Sequence, residues 1–271
     1  MAKYKNSYLE KSRKKLRMPR YKITIEYDGK NYNGWQAQKG LRTVQKAIEQ
    51  SIEKFCGKKI SIYGAGRTDT GVHASGQVAH FDLDMDSIQD QKDKVGKLTM
   101  GVNYYLSRNF DSEISIISSE QVNENFHARF SAKYRRYKYS ILNKRTSSPL
   151  NKNNSWRVPL PLDMKSMISA SKLLIGKHDF SSFRSAECQS NSSIKTIDDI
   201  SLIQNKDFIY IKVKAKSFLM NQVRIISGTL VEIGLNKKSE EDILVALKKY
   251  SKKHVGPTAP AHGLVLEKII Y

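Results

Sequence analysis

Between Gly64 and Gly76 the chain reads Gly-Ala-Gly-Arg-Thr-Asp-Thr-Gly-Val-His-Ala-Ser-Gly. Four glycines within thirteen residues indicate unusual backbone angles or a backbone that something approaches closely. Arg67 and Asp69 stand two apart inside this run. A carboxylate kept ionised by an arginine can act as a nucleophile or a base without a metal. The same pair can also do no more than pin a loop, and the residues alone leave both readings open. Three short motifs fail here. A dinucleotide fingerprint starting at Gly64 has Asp69 where its last glycine belongs, and a strand pattern follows it instead of a helix. A phosphate-binding P-loop needs Gly-Lys-Ser/Thr, which the run lacks. Asp69-Thr70-Gly71 spells an aspartic-protease triplet, but that chemistry needs two carboxylates sharing a proton, and Arg67 beside Asp69 would spoil the sharing.

Two further segments hold residues able to join such a site. Phe218–Ile233 is apolar on nearly all sides, so a helix there is largely buried. Arg224 in its middle needs a carboxylate or an exit to solvent. Asp69 is a candidate partner, whereas Glu232 is not at helical contact spacing. Lys133–Tyr139 interleaves three tyrosines with four cations. On a strand, Arg135, Tyr137 and Tyr139 share one face, and Tyr134, Arg136 and Lys138 the other. Such a segment can stack an unpaired base and hold its phosphates, or simply turn tyrosines to the core and cations to water. Metal chemistry finds no support. The histidines lack an HExxH context, and Asp82–Asp86 lacks the glycine and terminal glutamate of a calcium loop.

The elements that must position these residues are legible in outline. Tyr21–Tyr27 alternates strictly, as a half-buried strand closed by Asp28-Gly29. Val44, Ala47, Ile48, Ile52 and Phe55 form one stripe of a helix over 43–56, with Thr43 as N-cap. Strands are expected at 59–63 and 77–83 around the glycine-rich loop, then a helix within 88–106 and a strand at 113–118. The second half predicts a strand at 134–142, a helix at 164–176, and strands near 197–203 and 208–214. Helices at 218–234 and 239–249 follow, the latter started by Ser239 and acidic residues, and a last strand covers 264–271. Strands mixed with helices, without regular βαβ alternation, argue for α+β with antiparallel sheets. A basic tail, 1–17, precedes two halves of similar layout, 18–125 and 126–271.

Composition bounds the partners. In 271 residues, Lys and Arg number 47 against 26 Asp and Glu, a formal charge of +21. Self-repulsion on that scale is tolerated when a polyanion is the partner. No apolar run is long enough to span a bilayer, and the basic N-terminus has no apolar stretch behind it of the kind a secretory signal carries. Cys56 and Cys188 are far apart and form no CxxC, so neither a disulfide framework nor a cysteine zinc site is expected. The class is a soluble, cytoplasmic protein facing nucleic acid, without membrane attachment.

Six blocks in order now carry a resemblance. YKITIEYDGKNYNGWQAQ, GRTDTGVHASGQVAHF, FHARFSAKYRRYKY, GKHDFSSFR, Phe218–Gly234 and Gly256–Leu264 resemble the tRNA pseudouridine synthase A (TruA) family, from Pro19 to Tyr271. The GRTDTGVHA run is the most specific of them. The resemblance implies two α+β domains whose antiparallel sheets join into one extended sheet, with the active cleft between them, in a homodimer. It implies isomerisation of uridine to pseudouridine in the anticodon arm of tRNA, at positions 38, 39 and 40, without cofactor or metal. It maps the catalytic aspartate to Asp69 and the site tyrosine to Tyr137, expected to stack on the flipped uracil and help deprotonate C5. Arg224 would pair with Asp69, and Arg67 would hold the displaced base out of the stack. A synthase acting on another RNA, and a non-catalytic tRNA-binding protein, are the rival readings.

Overall fold

Strict alternation makes β1 (Arg20–Tyr27), which buries Tyr21, Ile23, Ile25 and Tyr27 and turns Lys22, Thr24 and Glu26 outward. The computed structural model describes residues 18–85 and 93–271; the basic tail 1–17 and residues 86–92 lie outside the described residues. The apolar stripe of α1 (Val44–Cys56) is buried through Val44, Ala47, Ile48 and Ile52, and Gly57 closes the helix in the left-handed region. Thr43 stands at the N-cap position as expected but makes no side-chain cap, and its buried hydroxyl has no partner. Of the strand expected at 59–63, only β2 (Tyr63–Gly64) forms, because only these residues find a neighbour, His80 and Ala79.

β3 (His73–Asp82) begins four residues before the expected start at 77. The misleading residue is Gly76, which reads as loop in sequence. In the fold a Cβ there would stand 2.3 Å from the Glu267 carbonyl oxygen, so glycine admits a neighbouring strand instead of making a turn. α2 (Lys94–Asn109) starts and ends later than expected, with the Asp93 side chain accepting from Gly96 N–H; residues 88–92 of the expected range are not described. β4 (Ile114–Val122) follows. Ile52 of α1 and Leu98 and Val102 of α2 meet Ile23, Phe81 and Ile116 of the sheet.

The second half repeats the plan. It comprises β5 (Tyr134–Asn143), β6 (Trp156–Val158), α3 (Met164–Lys172), β7 (Gly176–Asp179), β8 (Ile194–Asn205), β9 (Phe208–Ala215), α4 (Gln222–Gly234), α5 (Glu240–Lys248) and β10 (Leu264–Ile270). α3 is capped by Asp163 and stops short of the expected 176, where Gly176 at φ +106 opens β7. α4 also starts later than the expected 218. Asn221 adopts a left-handed φ of 61, and the chain turns there before the helix begins. At α5 the Asp242 carboxylate accepts from the Ser239 N–H at 2.9 Å, one half of a capping box.

All ten strands form one sheet in the order β4-β1-β3-β10-β5-β9-β8-β7, with β2 on β3 and β6 on β5. Pairing is antiparallel except for β3–β10 and β5–β6. The α+β expectation with one extended sheet therefore holds. The seam between the strands of residues 20–122 and those of 134–270 is the parallel pair His73↔Val265 and Ala74↔Leu266. The glycine-rich loop runs directly into that seam. No helix among the described residues is long and apolar enough to cross a membrane.

Candidate active site

The loop that carries Asp69 is held from beneath. Gly34, at φ +78, lets the 29–36 segment pass under it, where a Cβ would lie 2.5 Å from the Thr68 carbonyl oxygen. Trp35 N–H donates to that carbonyl at 3.1 Å, and the Tyr27 and Thr68 hydroxyls share a buried 2.8 Å hydrogen bond. Val72 N–H closes a turn onto the Asp69 carbonyl at 3.1 Å, with Gly71 between them at φ +77. The main chain of Asp69 is thus fixed on both sides, which leaves its side chain free to face α4.

At the tip of the loop, Asp69 meets the start of α4. Its carboxylate stands 3.7 Å from Arg224 Nη1, and the main chain of Asn221 helps to stabilise its charge. Asn221 stands at the N-cap of α4 in the left-handed region, where the positive end of the helix dipole favours a carboxylate. Arg224 is itself held by the Ala259 carbonyl, to which Nε donates at 2.7 Å, and by the Asn221 side-chain oxygen, to which Nη1 donates at 2.8 Å. The Arg224–Asp69 pairing expected from sequence is therefore present. Burial pushes the Asp69 carboxyl above its ordinary value, and the charge and hydrogen bonds of Arg224 and Asn221 pull against it. The net direction is upward, which makes a carboxylate more basic and more nucleophilic than one in water.

Arg67 lies apart from that pair, whereas Tyr137 is close enough to Asp69 to feel its charge. Tyr137 is buried on the face of β5 that also buries Arg135 and Tyr139, with Phe218 against its ring edge-on at 5.2 Å. Burial and then the Asp69 charge push its phenol upward, so near neutral pH it offers a ring and a hydroxyl but not a phenolate base. Arg67 is exposed, and its Nε donates to Gln36 Oε1 at 3.1 Å. The expectation that the loop's own arginine keeps Asp69 ionised is corrected: Arg224, from the other half of the chain, is the cation that Asp69 feels.

Two supporting residues escaped the sequence reading. Asn221 accepts from one member of the ion pair and its main chain helps to stabilise the other; its only signal was a polar residue three positions before Arg224 at the start of an apolar helix. Arg135 was seen as a basic residue on a strand, but it is buried. Its Nη2 donates to the carbonyls of Ala65, at 2.5 Å, and Arg129, at 3.0 Å, and its Nη1 donates to that of Lys216. It bolts the stem of the glycine-rich loop to the second half. Among the described residues, no cluster of three or more His, Cys, Asp or Glu is arranged to hold a metal ion.

The chain that builds this site, with its carboxylate in a glycine-shaped loop beside an arginine, is similar to known proteins along nearly its whole length. A model of the tRNA pseudouridine synthase family matches residues 23–131 and 170–271. Arg67, Asp69 and Arg224 fall inside the matched spans and Tyr137 between them. The tRNA pseudouridine synthase A of Wolbachia pipientis subsp. Culex pipiens (strain wPip) is 46% identical over 253 residues, 93% of this chain and 100% of that one. That of Anaplasma phagocytophilum (strain HZ) is 45% identical over 254 residues, covering 93% and 100%. That of Xanthobacter autotrophicus (strain ATCC BAA-1158 / Py2) is 43% identical over 258 residues, covering 94% and 100%. With the family's pattern spanning both halves and full-length relatives above 40% identity, the chain belongs to the tRNA pseudouridine synthase family.

Proposed function

We propose that this protein isomerises uridine to pseudouridine in the anticodon arm of tRNA, at positions 38, 39 and 40, with Asp69 as the catalytic carboxylate. The observation that carries the reading is Asp69 itself: loop-borne, half-buried, and set against Arg224 and the main chain of Asn221. The reaction breaks the bond from ribose C1′ to N1 of uracil, rotates the base, and joins C5 to C1′. N1 gains a proton and C5 loses one, so nothing is oxidised, reduced or hydrolysed overall. Such a sequence needs a group that can engage an electron-poor carbon and then leave, which is what an activated carboxylate does. Arg224 holds that carboxylate in its charged form and position. Tyr137 supplies the aromatic face for the extruded uracil. Arg67, exposed on the same loop, fills the space the base vacates, which offsets part of the few kcal/mol that flipping costs, of order 2–4.

The two halves, 18–125 and 126–271, act as domains that flank the carboxylate. The charge of +21 suits a polyanionic substrate, and a homodimer in the cytoplasm presents enough surface to hold more of a tRNA than one cleft spans. Carbodiimide treatment of incubated tRNA followed by primer extension tests the reading. Stops are expected at 38, 39 and 40, each absent with Asp69→Asn; stops confined to other arms would overturn the substrate assignment.

A further inference from the structure

At the start of α4, with Asn221 in its wall, lies a cavity of about 370 Å³. Its lining includes Arg184, Lys252, Asn221, Gly256 and Thr258. The wall is made by glycine: the chain at Gly256 rests on α4 at Gly228, where a Cβ on Gly228 would stand 1.8 Å from the Pro257 carbonyl oxygen. Two cations share this space. Lys252 Nζ donates to the main-chain carbonyls of Ser182, at 2.9 Å, and Arg184, which occupies two of its three donors. Neither Lys252 nor Arg184 forms an ion pair with a carboxylate among the described residues; Asp179 feels Arg184 only as a lesser influence. Burial, and then the Arg184 charge, lower the Lys252 ammonium from its ordinary value. Like charges held together in a concave site without an acid are unfavourable in the free protein, and an anion entering the cavity relieves that cost.

We infer that the Arg184–Lys252 cavity is a phosphate site that grips the RNA backbone at a phosphodiester next to the flipped uridine. The geometry favours a phosphodiester over a free small anion because Asn221, in the cavity wall, accepts from the same Arg224 Nη1 that faces Asp69, so whatever enters is tied to the reacting nucleotide. Asn221 then has one face on the chemistry and one on the backbone contact. The inference rests on the isomerase reading above. It adds a positioning role to residues that touch no reacting atom.

A synthetic anticodon stem-loop with one phosphodiester at a time replaced by an uncharged methylphosphonate tests it. With the unaltered protein, replacement beside the target uridine is expected to weaken binding about tenfold. With Arg184→Gln, binding to the all-phosphate RNA weakens by a similar factor, and the same replacement costs nothing more. The slope of log affinity against log salt falls by about 0.7 for the lost contact. The loss falls on KM more than on kcat, because the contact exists before the chemical step. Lys252→Met serves as a second variant, and an unchanged thermal midpoint in either shows that the fold is intact. Additive losses from the two changes, or an unchanged salt slope, would overturn the phosphate site. Inorganic phosphate alone separates the sources: Arg184-dependent thermal stabilisation by phosphate, without coupling to any RNA position, would mark a free-anion site and also overturn the proposal. Tritium release from 5-tritiated uridine in tRNA is measured alongside. No release from any tRNA defeats the isomerase reading, whereas normal release with uncoupled binding defeats this inference alone.

Discussion

Arg135 and Arg224 both reach the glycine-rich loop from the second half of the chain, one at its stem and one at its tip. Arg135 donates only to main-chain carbonyls and faces no carboxylate. Burial lowers its guanidinium from the ordinary value, yet the charge persists because arginine starts so high. Arg224 also donates to a carbonyl, that of Ala259, but its other end meets Asn221 and Asp69. A buried arginine satisfied by carbonyls fixes the backbone. A half-buried arginine that faces a carboxylate sets that carboxylate's charge and reach. The two positions therefore separate what holds the loop from what the loop does, although in sequence each is one arginine among many.

Substitutions that break this division should rank as follows. Asp69→Asn removes the reacting group and should lower turnover by roughly 10⁴-fold or more, with tRNA affinity unchanged in a filter-binding assay. Arg135→Met leaves one buried and two part-buried carbonyls without that donor and should cost about 3–5 kcal/mol of stability in a urea titration, with inactivity following only from unfolding. Arg224→Gln should keep the fold and lower kcat about 10²-fold. Its diagnostic is pH. Asp69 must be ionised to act, so activity rises with pH through its raised pKa; without the Arg224 charge that pKa goes further up, and the acid limb of kcat/KM moves to higher pH. An unmoved limb would show that Arg224 merely packs. Arg67→Ala should leave stability within about 0.5 kcal/mol and reduce turnover on tRNA about tenfold.

Stability and activity should also part company in acid. His80, on β3, is buried against Tyr63, Phe126 and His127, and burial, followed by His127 and Arg20, lowers it from 6.5 to about 4. Between those values the unfolded chain takes up a proton that the folded one refuses, so His80 destabilises the fold as pH falls from 6.5 toward 4. Asp69 has the opposite sign. Its raised pKa means that protonation relieves a buried charge, and its contribution favours the fold as pH falls. His80→Asn should flatten the acid loss of stability in thermal melts without shifting the acid limb of turnover.

Much of this was readable in the chain, for physical reasons. The alternation of β1, the stripe of α1 and the GRTDTG run each repeat a local rule several times over. Arg224 in an apolar helix called for a carboxylate or an exit to solvent, and the family resemblance singled out Asp69 as its partner. What was not legible depended on contacts between distant segments. Gly76 looked like a turn until the Glu267 carbonyl beside it was known. Residues 218–221 looked helical because they are apolar, whereas the left-handed turn at Asn221 arises from one residue's tolerance and from where Asp69 must be met. Arg67, two residues from Asp69 in sequence, bonds to Gln36. A loop's neighbours in space are set by the sheet, and the sheet joins residues 73 and 265, which no local pattern relates.

The most direct test of the central claim is tritium release from tRNA labelled at uridine C5, with tRNA binding measured on the same preparations. Every turnover must expel the C5 hydrogen. The wild-type protein should release tritium stoichiometrically from the anticodon-arm uridines, and Asp69→Asn should bind the same tRNA with equal affinity and release none. Release that survives Asp69→Asn would contradict the account, because some other group would then be making and breaking the bond.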